Sequence, residues 1–215
     1  MYKFFFKSLF DKTVALVLLV ASLPFLMLAT FLNFIDGHQN PFFIQKRLGK
    51  NSKEFTILKF RTMHYSHEGS KPVHVKPGAK ELTPIGRFLR ATSIDEMPQL
   101  LNVLKGDMSL IGPRPHALEY ASYYASIDPK YYERYAVRPG LACIVEATRL
   151  HYLTESEAHI KCRIKCDLYY ARRQSFILDA KIFYKIALTV FKSFLPKPKP
   201  VFKPQSAATE YTPIV

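Results

Sequence analysis

The feature that most constrains this chain is a long uncharged run near its start. The run from Val14 to Ile35 contains no charged residue, and only Ser22, Pro24, Thr30 and Asn33 interrupt its apolar pattern. At about 1.5 Å per residue, a helix of this length could cross the apolar core of a bilayer, which is about 30 Å thick. The run is too long for the apolar part of a secretory signal, and no small-residue cleavage site follows it. It predicts a membrane-embedded helix, with a buried helix of a soluble protein as the weaker alternative.

Positive charge flanks both ends of this run. The flanking cations are Lys3, Lys7 and Lys12 before it, and Lys46, Arg47, Lys50 and Lys53 after it. A helix that spans the membrane normally has its positive charge on the cytoplasmic flank. Both ends therefore favour the cytoplasmic side. Pro24 lies near the middle, where a proline removes a hydrogen bond and can bend a helix. We expect a re-entrant helix that enters the membrane, turns at Pro24 and leaves on the same face.

The overall charge indicates an anionic partner. The 215 residues carry a formal charge of +14, with a pI near 9.7, which suits nucleic acid, an anionic membrane surface or phosphorylated substrates. Three cysteines are too few for a disulfide framework and fit a reducing compartment. Cys162 and Cys166, with His159, could suggest a metal site, but no fourth ligand follows at zinc-like spacing. We interpret the cysteines as packing residues.

A second segment, from Arg90 to Pro115, points to phosphate chemistry. Ser93 and Glu96 have the spacing of a capping box, and the apolar residues after them recur at helical spacing as far as Gly106. If Asp95 is the cap instead, Pro98 falls in the tolerated first turn. Either register places both carboxylates at the positive end of a helix, where anions are also favoured.

Two arginines bracket these carboxylates. Arg90 precedes the turn, and Arg114 follows the helix between Pro113 and Pro115, where it loses little backbone entropy on binding an anion. The alternative is a capped, solvated helix start, which needs no chemistry to explain it.

Several blocks of sequence resemble one family. The run SIDEMPQLLNVLKGDMSLIGPRP, preceded by QKRLGKNSKEFTILKFRTM and IGRFLRATS and followed by RPG at Arg138 to Gly140, is similar to the bacterial sugar transferases, which are monotopic polyprenyl-phosphate phosphoglycosyl transferases. The resemblance extends from Phe10 to about Phe194. It departs in LACIVEATRLHY, where Glu146 occupies a position that is glutamine in relatives and Arg149 is displaced by about one residue.

The resemblance implies an Asp-Glu dyad at Asp95 and Glu96. We expect Asp95 to attack the phosphorus next to the sugar, and Glu96 to act as a base or a metal ligand. A Mg²⁺ ion held by both carboxylates would suit hard oxygen ligands. The KFRTM block belongs to the active-site wall of the family. The residues expected to hold phosphate oxygens are Lys59, Arg61, Arg90, Arg114 and Arg138.

The implied reaction moves a sugar 1-phosphate from a nucleotide diphosphate sugar, taken as a UDP-sugar, to polyprenyl (undecaprenyl) phosphate, and releases a nucleoside monophosphate. It would initiate assembly of a bacterial glycan such as an exopolysaccharide, capsule, O-antigen or glycoprotein glycan. The expected location is the cytoplasmic (inner) membrane, with the catalytic domain on the cytosolic face. Membrane lipid is an expected partner and nucleic acid is not, while the oligomeric state, including a homo-oligomer, stays open.

The expected fold class is α+β and mainly helical, with a re-entrant anchor and a compact cytosolic domain that carries amphipathic interfacial helices and a small β-hairpin. The expected boundaries are 1–40 for the anchor, 41–195 for the catalytic domain and 196–215 for a Pro-rich disordered tail. The expected elements are a hairpin over Phe42–Met63, a polar loop over His64–Lys80, and helices over His116–Tyr135 (broken at Asp128-Pro129), Glu155–Arg173 and Ala180–Leu195.

The last of these helices carries Lys181, Lys185 and Lys192 on one face, which is typical of a helix lying in the bilayer interface. An ordinary core-packed helix is the alternative.

Two functions of other classes compete with the enzyme. A nucleic-acid-binding protein would explain the charge, but not the uncharged run or the paired carboxylates between arginines. A non-catalytic membrane-anchored scaffold in a polysaccharide assembly complex would explain the membrane signals, but not the carboxylates. No P-loop or dinucleotide fingerprint is present.

Overall fold

The computed structural model describes residues 6–64, 81–147 and 157–194, which form a mainly helical α+β fold. The α-helices are α1 (Lys7–Ile35), α2 (Pro84–Ala91), α3 (Leu100–Lys105), α4 (Leu118–Ile127), α5 (Ile144–Ala147), α6 (Glu157–Arg173) and α7 (Phe176–Phe194). The strands are β1 (Phe42–Leu48), β2 (Glu54–Phe60), β3 (Ser109–Ile111) and β4 (Gly140–Ala142). Short 3₁₀ helices cover Lys50–Ser52, Ile94–Gln99 and Pro129–Ala136. The predicted fold class is confirmed in this coarse form.

In helix α1 the apolar side chains face outward, which is the opposite of a surface helix in a soluble protein. Its buried residues are small or polar, namely Lys7, Asp11, Ala15, Ser22, Ala29 and Asn33. Its exposed residues are mostly large and apolar, and Met27 is 72 % exposed. The 29 residues make a helix about 43 Å long, which is long and apolar enough to cross a membrane. An outward apolar surface of this extent indicates that α1 anchors the protein in lipid.

Helix α1 continues without a break through Pro24 and ends after Ile35, so the structure does not show the turn expected at Pro24. Both ends of the helix contact the same body of the protein. Near the start, Lys7 forms an ion pair with Asp179 of α7 at 2.8 Å. Near the end, Ala29 packs against Phe60 of β2. The re-entrant course through the membrane stays a prediction.

Strands β1 and β2 form the predicted hairpin. They pair in antiparallel register from Phe42 opposite Phe60 to Leu48 opposite Glu54. The connection is a 3₁₀ turn in which Asn51 and Ser52 have positive φ angles of 57° and 58°. The hairpin packs on α3 through the side chain of Asn102, which forms two hydrogen bonds with the backbone of β2. Leu58 N–H donates to Asn102 Oδ1 at 3.2 Å, and Asn102 Nδ2 donates to Thr56 O at 2.7 Å.

Strands β3 and β4 were not predicted. They pair in parallel, with Ser109 opposite Gly140. Their close approach requires glycine, because a Cβ on Gly140 would lie 2.0 Å from the backbone nitrogen of Gly112. The Gly140 N–H also donates to Pro113 O at 2.9 Å. This contact fixes the backbone at the start of the loop that carries Arg114.

The C-terminal half packs around aromatic residues. Helix α4, the 3₁₀ helix that follows it and α6 share a core that includes Tyr124, Tyr131 and Ile164. The predicted break at Asp128-Pro129 is confirmed, and Asp128 Oδ1 accepts a hydrogen bond from Lys130 N–H at 2.9 Å. Helix α7 begins at Phe176, earlier than the predicted Ala180. Its buried Ile182 packs in a cluster with Tyr170 of α6.

Some predictions fall outside the described residues. They concern the polar loop beyond His64, Arg149 in the atypical 141–152 segment, the side chain of Lys192 and the tail over residues 196–215. The boundaries of the three expected regions likewise stay predictions.

Candidate active site

The adjacent carboxylates lie in a tight turn between α2 and α3. Ser93 has a positive φ of 57°, and its N–H donates to Arg90 O at 3.2 Å. Asp95 and Glu96 then occupy the first turn of the 3₁₀ helix over Ile94–Gln99. Pro98 also lies in this turn, ahead of α3, so it avoids the interior of an α-helix.

The predicted capping box is wrong. The Ser93 side chain makes no capping hydrogen bond, and α3 begins only at Leu100. The reason is the backbone of Ser93. Its left-handed conformation ends α2, whereas an N-cap residue needs an extended backbone to turn its side chain toward the next helix. Asp95 as the cap is wrong too, because it lies inside the 3₁₀ helix.

Asp95 is buried and has no hydrogen bond or ion pair with any other residue that the structure describes. Its exposed fraction is 8 %. Burial, reinforced by the negative charge of Glu96, raises the pKa of Asp95 to about 6, against the opposing charges of Lys59 and Arg90. The carboxylate is therefore ionised at neutral pH although burial opposes its charge, and a pKa raised in this way is common at functional sites.

Glu96 has the opposite environment. Its Oε1 accepts hydrogen bonds from Lys59 Nζ and from Arg114 Nη2, both at 2.7 Å. Burial alone would raise the pKa of Glu96, but the charges of Arg114 and Lys59 outweigh it and hold the pKa well below its usual range. Glu96 is thus a fixed anion that holds two cations beside Asp95.

Three of the predicted cations converge on the two carboxylates from separate elements. Lys59 comes from β2, Arg90 from the end of α2 and Arg114 from the loop after β3. The Arg90 Nε donates to Thr62 Oγ1 at 2.9 Å, and its charge acts on both Asp95 and Glu96. A group of cations around a free carboxylate suits a phosphoryl group, whose oxygens need several donors.

Arg61 and Arg138 have other partners. Arg61 donates to the backbone carbonyls of Asn40 and Phe42, at 3.0 and 3.1 Å. Arg138 donates from Nη1 to Ser8 Oγ of α1 at 3.0 Å. The expectation that these two arginines hold substrate phosphates stays a prediction, and the structure gives both of them contacts that stabilise the fold.

The Arg114 loop is supported by residues that the sequence did not mark as part of the site. The Arg114 carbonyl accepts a hydrogen bond from Arg134 Nη2 at 2.6 Å. Arg134 is fully buried and paired with Asp167 through Nη2 at 2.6 Å and Nε at 3.0 Å. On the other side, Arg114 Nη1 bonds Glu146 of α5. No local pattern reveals these contacts. The only hint was Glu146, which departs from the glutamine of the resembled family.

The two carboxylates suit a magnesium ion whose other ligands would be water and substrate phosphates. Among the described residues, no group of three or more His, Cys, Asp or Glu side chains is arranged to hold a metal. Mg²⁺ commonly uses only one or two carboxylates and completes its shell with water and substrate phosphates. The oxygens of Asp95 and the Oε2 of Glu96 have no hydrogen bond from the residues that the structure covers, so they are available to such an ion.

Comparisons with known proteins find a matching family model and several similar chains. A family model described as Bacterial sugar transferase matches residues 2–193. The chain is 40 % identical over 176 residues to the UDP-glucose:undecaprenyl-phosphate glucose-1-phosphate transferase of Caulobacter vibrioides, covering 82 % of this chain and 66 % of that protein. It is 36 % identical over 182 residues to the exopolysaccharide production protein PSS of Rhizobium leguminosarum bv. phaseoli, covering 83 % and 91 %.

A third relative is named for a different sugar. The UDP-N-acetylgalactosamine-undecaprenyl-phosphate N-acetylgalactosaminephosphotransferase of Aeromonas hydrophila is 32 % identical over 190 residues, which cover 88 % of this chain and 44 % of that protein. The chain thus spans about two thirds of the Caulobacter relative and less than half of the Aeromonas relative.

Proposed function

Because this chain belongs to the bacterial sugar transferase family, we propose that it is a phosphoglycosyl transferase that moves a sugar 1-phosphate from a UDP-sugar to undecaprenyl phosphate and releases UMP. The single observation that carries this proposal is the placement of Asp95. It is a buried carboxylate without a partner among the described residues, and its pKa is raised to about 6 beside three cations.

The first step is attack on the donor. A carboxylate oxygen of Asp95 forms a bond to the phosphorus next to the sugar, and the bond from that phosphorus to the bridging oxygen breaks. The electron pair leaves with UMP, and the sugar phosphate stays on the aspartate as an acyl phosphate. Lys59, Arg90 and Arg114 would hold the phosphate oxygens in line and offset the developing charge.

The second step regenerates the enzyme. A phosphate oxygen of undecaprenyl phosphate attacks the same phosphorus, and the bond to Asp95 breaks. The product is an undecaprenyl-diphosphate-linked sugar, and the electron pair returns to the carboxylate. Two steps let the soluble nucleotide leave before the lipid acceptor reacts. Asp95 and Glu96 would hold a Mg²⁺ ion, which would neutralise charge on the donor diphosphate when bound.

The contacts of α1 support a site at the cytosolic surface of the inner membrane. A helix that passes straight through a bilayer separates its two ends, so both cannot pack against one domain on one side. In this protein Lys7 contacts α7 and Ala29 contacts β2. These contacts support a proposal in which both ends of α1 stay on the side of the catalytic residues, although the helix is continuous through Pro24. In that arrangement the lipid acceptor would be reached at the depth where it resides.

The sugar is not decided by similarity, because relatives named for glucose and for N-acetylgalactosamine match at comparable identity. We propose that the donor is a UDP-hexose and that the product initiates assembly of a bacterial glycan. The Rhizobium relative, named for exopolysaccharide production, supports exopolysaccharide as the first candidate.

The test is incubation of the full chain in detergent with undecaprenyl phosphate, Mg²⁺ and a panel of UDP-sugars, scored by release of UMP. With donor alone, the peptide containing Asp95 should gain one sugar phosphate in mass, and Asp95→Asn should neither gain it nor release UMP. Glu96→Gln should lose most of the activity, because Lys59 and Arg114 lose their common anion.

A folded chain that releases no nucleotide with any donor would favour the membrane-anchored scaffold. Product that forms only with both substrates present, with substantial activity in Asp95→Asn, would remove Asp95 as the nucleophile.

A further inference from the structure

Glu146 reaches the site from α5, an element to which the reaction above gives no role. Its two oxygens have different partners: Oε1 accepts from Arg114 Nη1, and Oε2 accepts from the backbone N–H of Cys143 at 3.1 Å. The side chain is 25 % exposed. One oxygen therefore anchors the carboxylate to the backbone of its own segment, and the other reaches across to the arginine.

With this contact, Arg114 has three hydrogen-bonding partners. Its Nη2 donates to Glu96 at 2.7 Å, its Nη1 bonds Glu146, and its carbonyl accepts from Arg134 at 2.6 Å. An arginine tethered through one terminal nitrogen can still rotate its guanidinium plane, whereas tethers on both terminal nitrogens fix that plane. The side chain nevertheless stays 44 % exposed. Of its five N–H bonds, those not used by the two carboxylates are available to a ligand.

We propose that Glu146 is a positioning residue that fixes the guanidinium plane of Arg114, so that its remaining N–H bonds face the diphosphate of the nucleotide. The identity of this ligand rests on the proposed function. An arginine oriented in advance loses less side-chain entropy when it binds a phosphate through two parallel hydrogen bonds. Glu146 itself need not touch the nucleotide.

If Glu146 orients Arg114, removing its carboxylate should weaken ligand binding; if its charge merely repels the ligand, removing it should strengthen binding. Glu146→Gln removes the charge but keeps one oxygen that can accept from Arg114. Glu146→Asp keeps the charge but shortens the reach to Arg114 by one methylene group.

The probe is UDP, which carries the diphosphate, requires no catalysis and is independent of the sugar. Its Kd is measured by calorimetry on the full chain in detergent. We expect Glu146→Ala to raise the Kd about tenfold, which corresponds to about 1.4 kcal/mol, because the guanidinium of Arg114 must then lose its rotational freedom when UDP binds. Glu146→Asp should also weaken binding, and Glu146→Gln should stay within about threefold of the unmodified chain.

Two controls separate positioning from a general effect on the fold. Glu133→Ala breaks an exposed glutamate–arginine pair, with Arg172 at 2.7 Å, and should leave the Kd unchanged. In an Arg114→Ala background, Glu146→Ala should change the Kd by less than about twofold, because a residue that acts only through Arg114 loses its effect when Arg114 is absent.

The proposal would be overturned if the alanine and glutamine variants of Glu146 bound UDP more tightly. It would also be overturned if Glu146→Ala weakened UDP binding equally with and without Arg114, even if the unmodified chain is an active transferase. Conversely, coupling between Glu146 and Arg114 in UDP binding would support it even if no sugar were transferred.

Discussion

The two neighbouring carboxylates show how much the surroundings of single residues matter in this site. Glu96 is paired with two cations and Asp95 with none among the described residues, and their pKa values move in opposite directions. The proposed division of roles follows from this difference. Glu96 holds Lys59 and Arg114, while the oxygens of Asp95 have no hydrogen bond from the described residues and are assigned to the proposed reaction.

The charge on the buried Asp95 carboxylate should lower the free energy of unfolding. The pKa of Asp95 rises from its usual 3.8 to about 6 in the folded chain. The loss of stability from Asp95 ionisation therefore grows as the pH rises from about 4 to about 6, and it is fully present above pH 6. Below about pH 4 the loss disappears, because Asp95 is protonated in both the folded and the unfolded chain. A pKa difference of one corresponds to about 1.4 kcal/mol. Asp95→Asn should thus raise the free energy of unfolding by about 2–3 kcal/mol at pH 8 and by little at pH 4.

Chemical unfolding in detergent, with a chelator present to remove Mg²⁺, measures this difference. A variant that is less stable than the unmodified chain at pH 8 would mean that Lys59 and Arg90 stabilise the carboxylate more than burial opposes it.

The same pKa predicts the pH dependence of the first chemical step. Asp95 attacks as a carboxylate, so the rate of adduct formation with donor alone should rise with pH through about 6 and then level off. Rapid-quench mass measurement of the Asp95 peptide at a series of pH values follows it. A rate that does not change between pH 5 and pH 8 would contradict attack by Asp95.

Among the elements, the contact between α3 and β2 determines where Lys59 lies. Asn102 satisfies both Leu58 N–H and Thr56 O on the strand that carries this lysine. Both hydrogen bonds are partly buried, and Asn102→Ala removes them, at a cost of about 0.5–1.5 kcal/mol each. We expect a loss of stability on the order of 1–3 kcal/mol and reduced activity.

Thermal unfolding in detergent and UMP release measure the two effects. Lys105→Ala, an exposed position on the same helix, is the control and should be close to neutral. Equal stability of both variants would mean that Asn102 does not hold the hairpin in place.

Helix α7 presents a mixed outer face. Phe183 and Tyr184 are 65 % and 64 % exposed, and Lys181 is exposed beside them. This arrangement supports the interfacial interpretation of the helix. Replacing Lys181 and Lys185 with glutamate should weaken binding to anionic vesicles by about 1 kcal/mol for each lysine lost near the surface. Vesicle co-sedimentation at low ionic strength measures the change, and an unaltered salt dependence would place these lysines away from the headgroups.

At the scale of the whole molecule, α1 is packed against the catalytic body along its length. Lys7 contacts α7, Ala15 packs with α3, and Ala29 packs with β2. Single cysteines placed at Lys12 and Lys50, in a chain without its own three cysteines, should therefore both resist an impermeant thiol reagent added outside the cell. Labelling after permeabilisation confirms that both are reactive. Labelling of either position in intact cells would mean that α1 spans the membrane.

Local patterns in the sequence determined much of the fold. The uncharged run, the alternation in β1 and β2, the helical spacing of α3 with Gly106 at its end and the Asp128-Pro129 break all depend on residues within a few positions of one another. Each was confirmed as an element, although Ser93 ends a helix where a cap was expected. The adjacency of Asp95 and Glu96 is likewise a property of the chain itself.

Tertiary structure alone decided which cations meet these carboxylates. Lys59, Arg61, Arg90, Arg114 and Arg138 are alike as sequence features, yet Arg61 bonds backbone carbonyls and Arg138 bonds α1. The parallel pairing of β3 with β4, the buried support of Arg114 by Arg134 and its contact with Glu146 join segments about 20–30 residues apart. Such contacts depend on how the elements pack, because a charged side chain takes the nearest partner that packing provides. The sequence by itself therefore determined that two carboxylates are adjacent, and packing determined the electrostatic field around them.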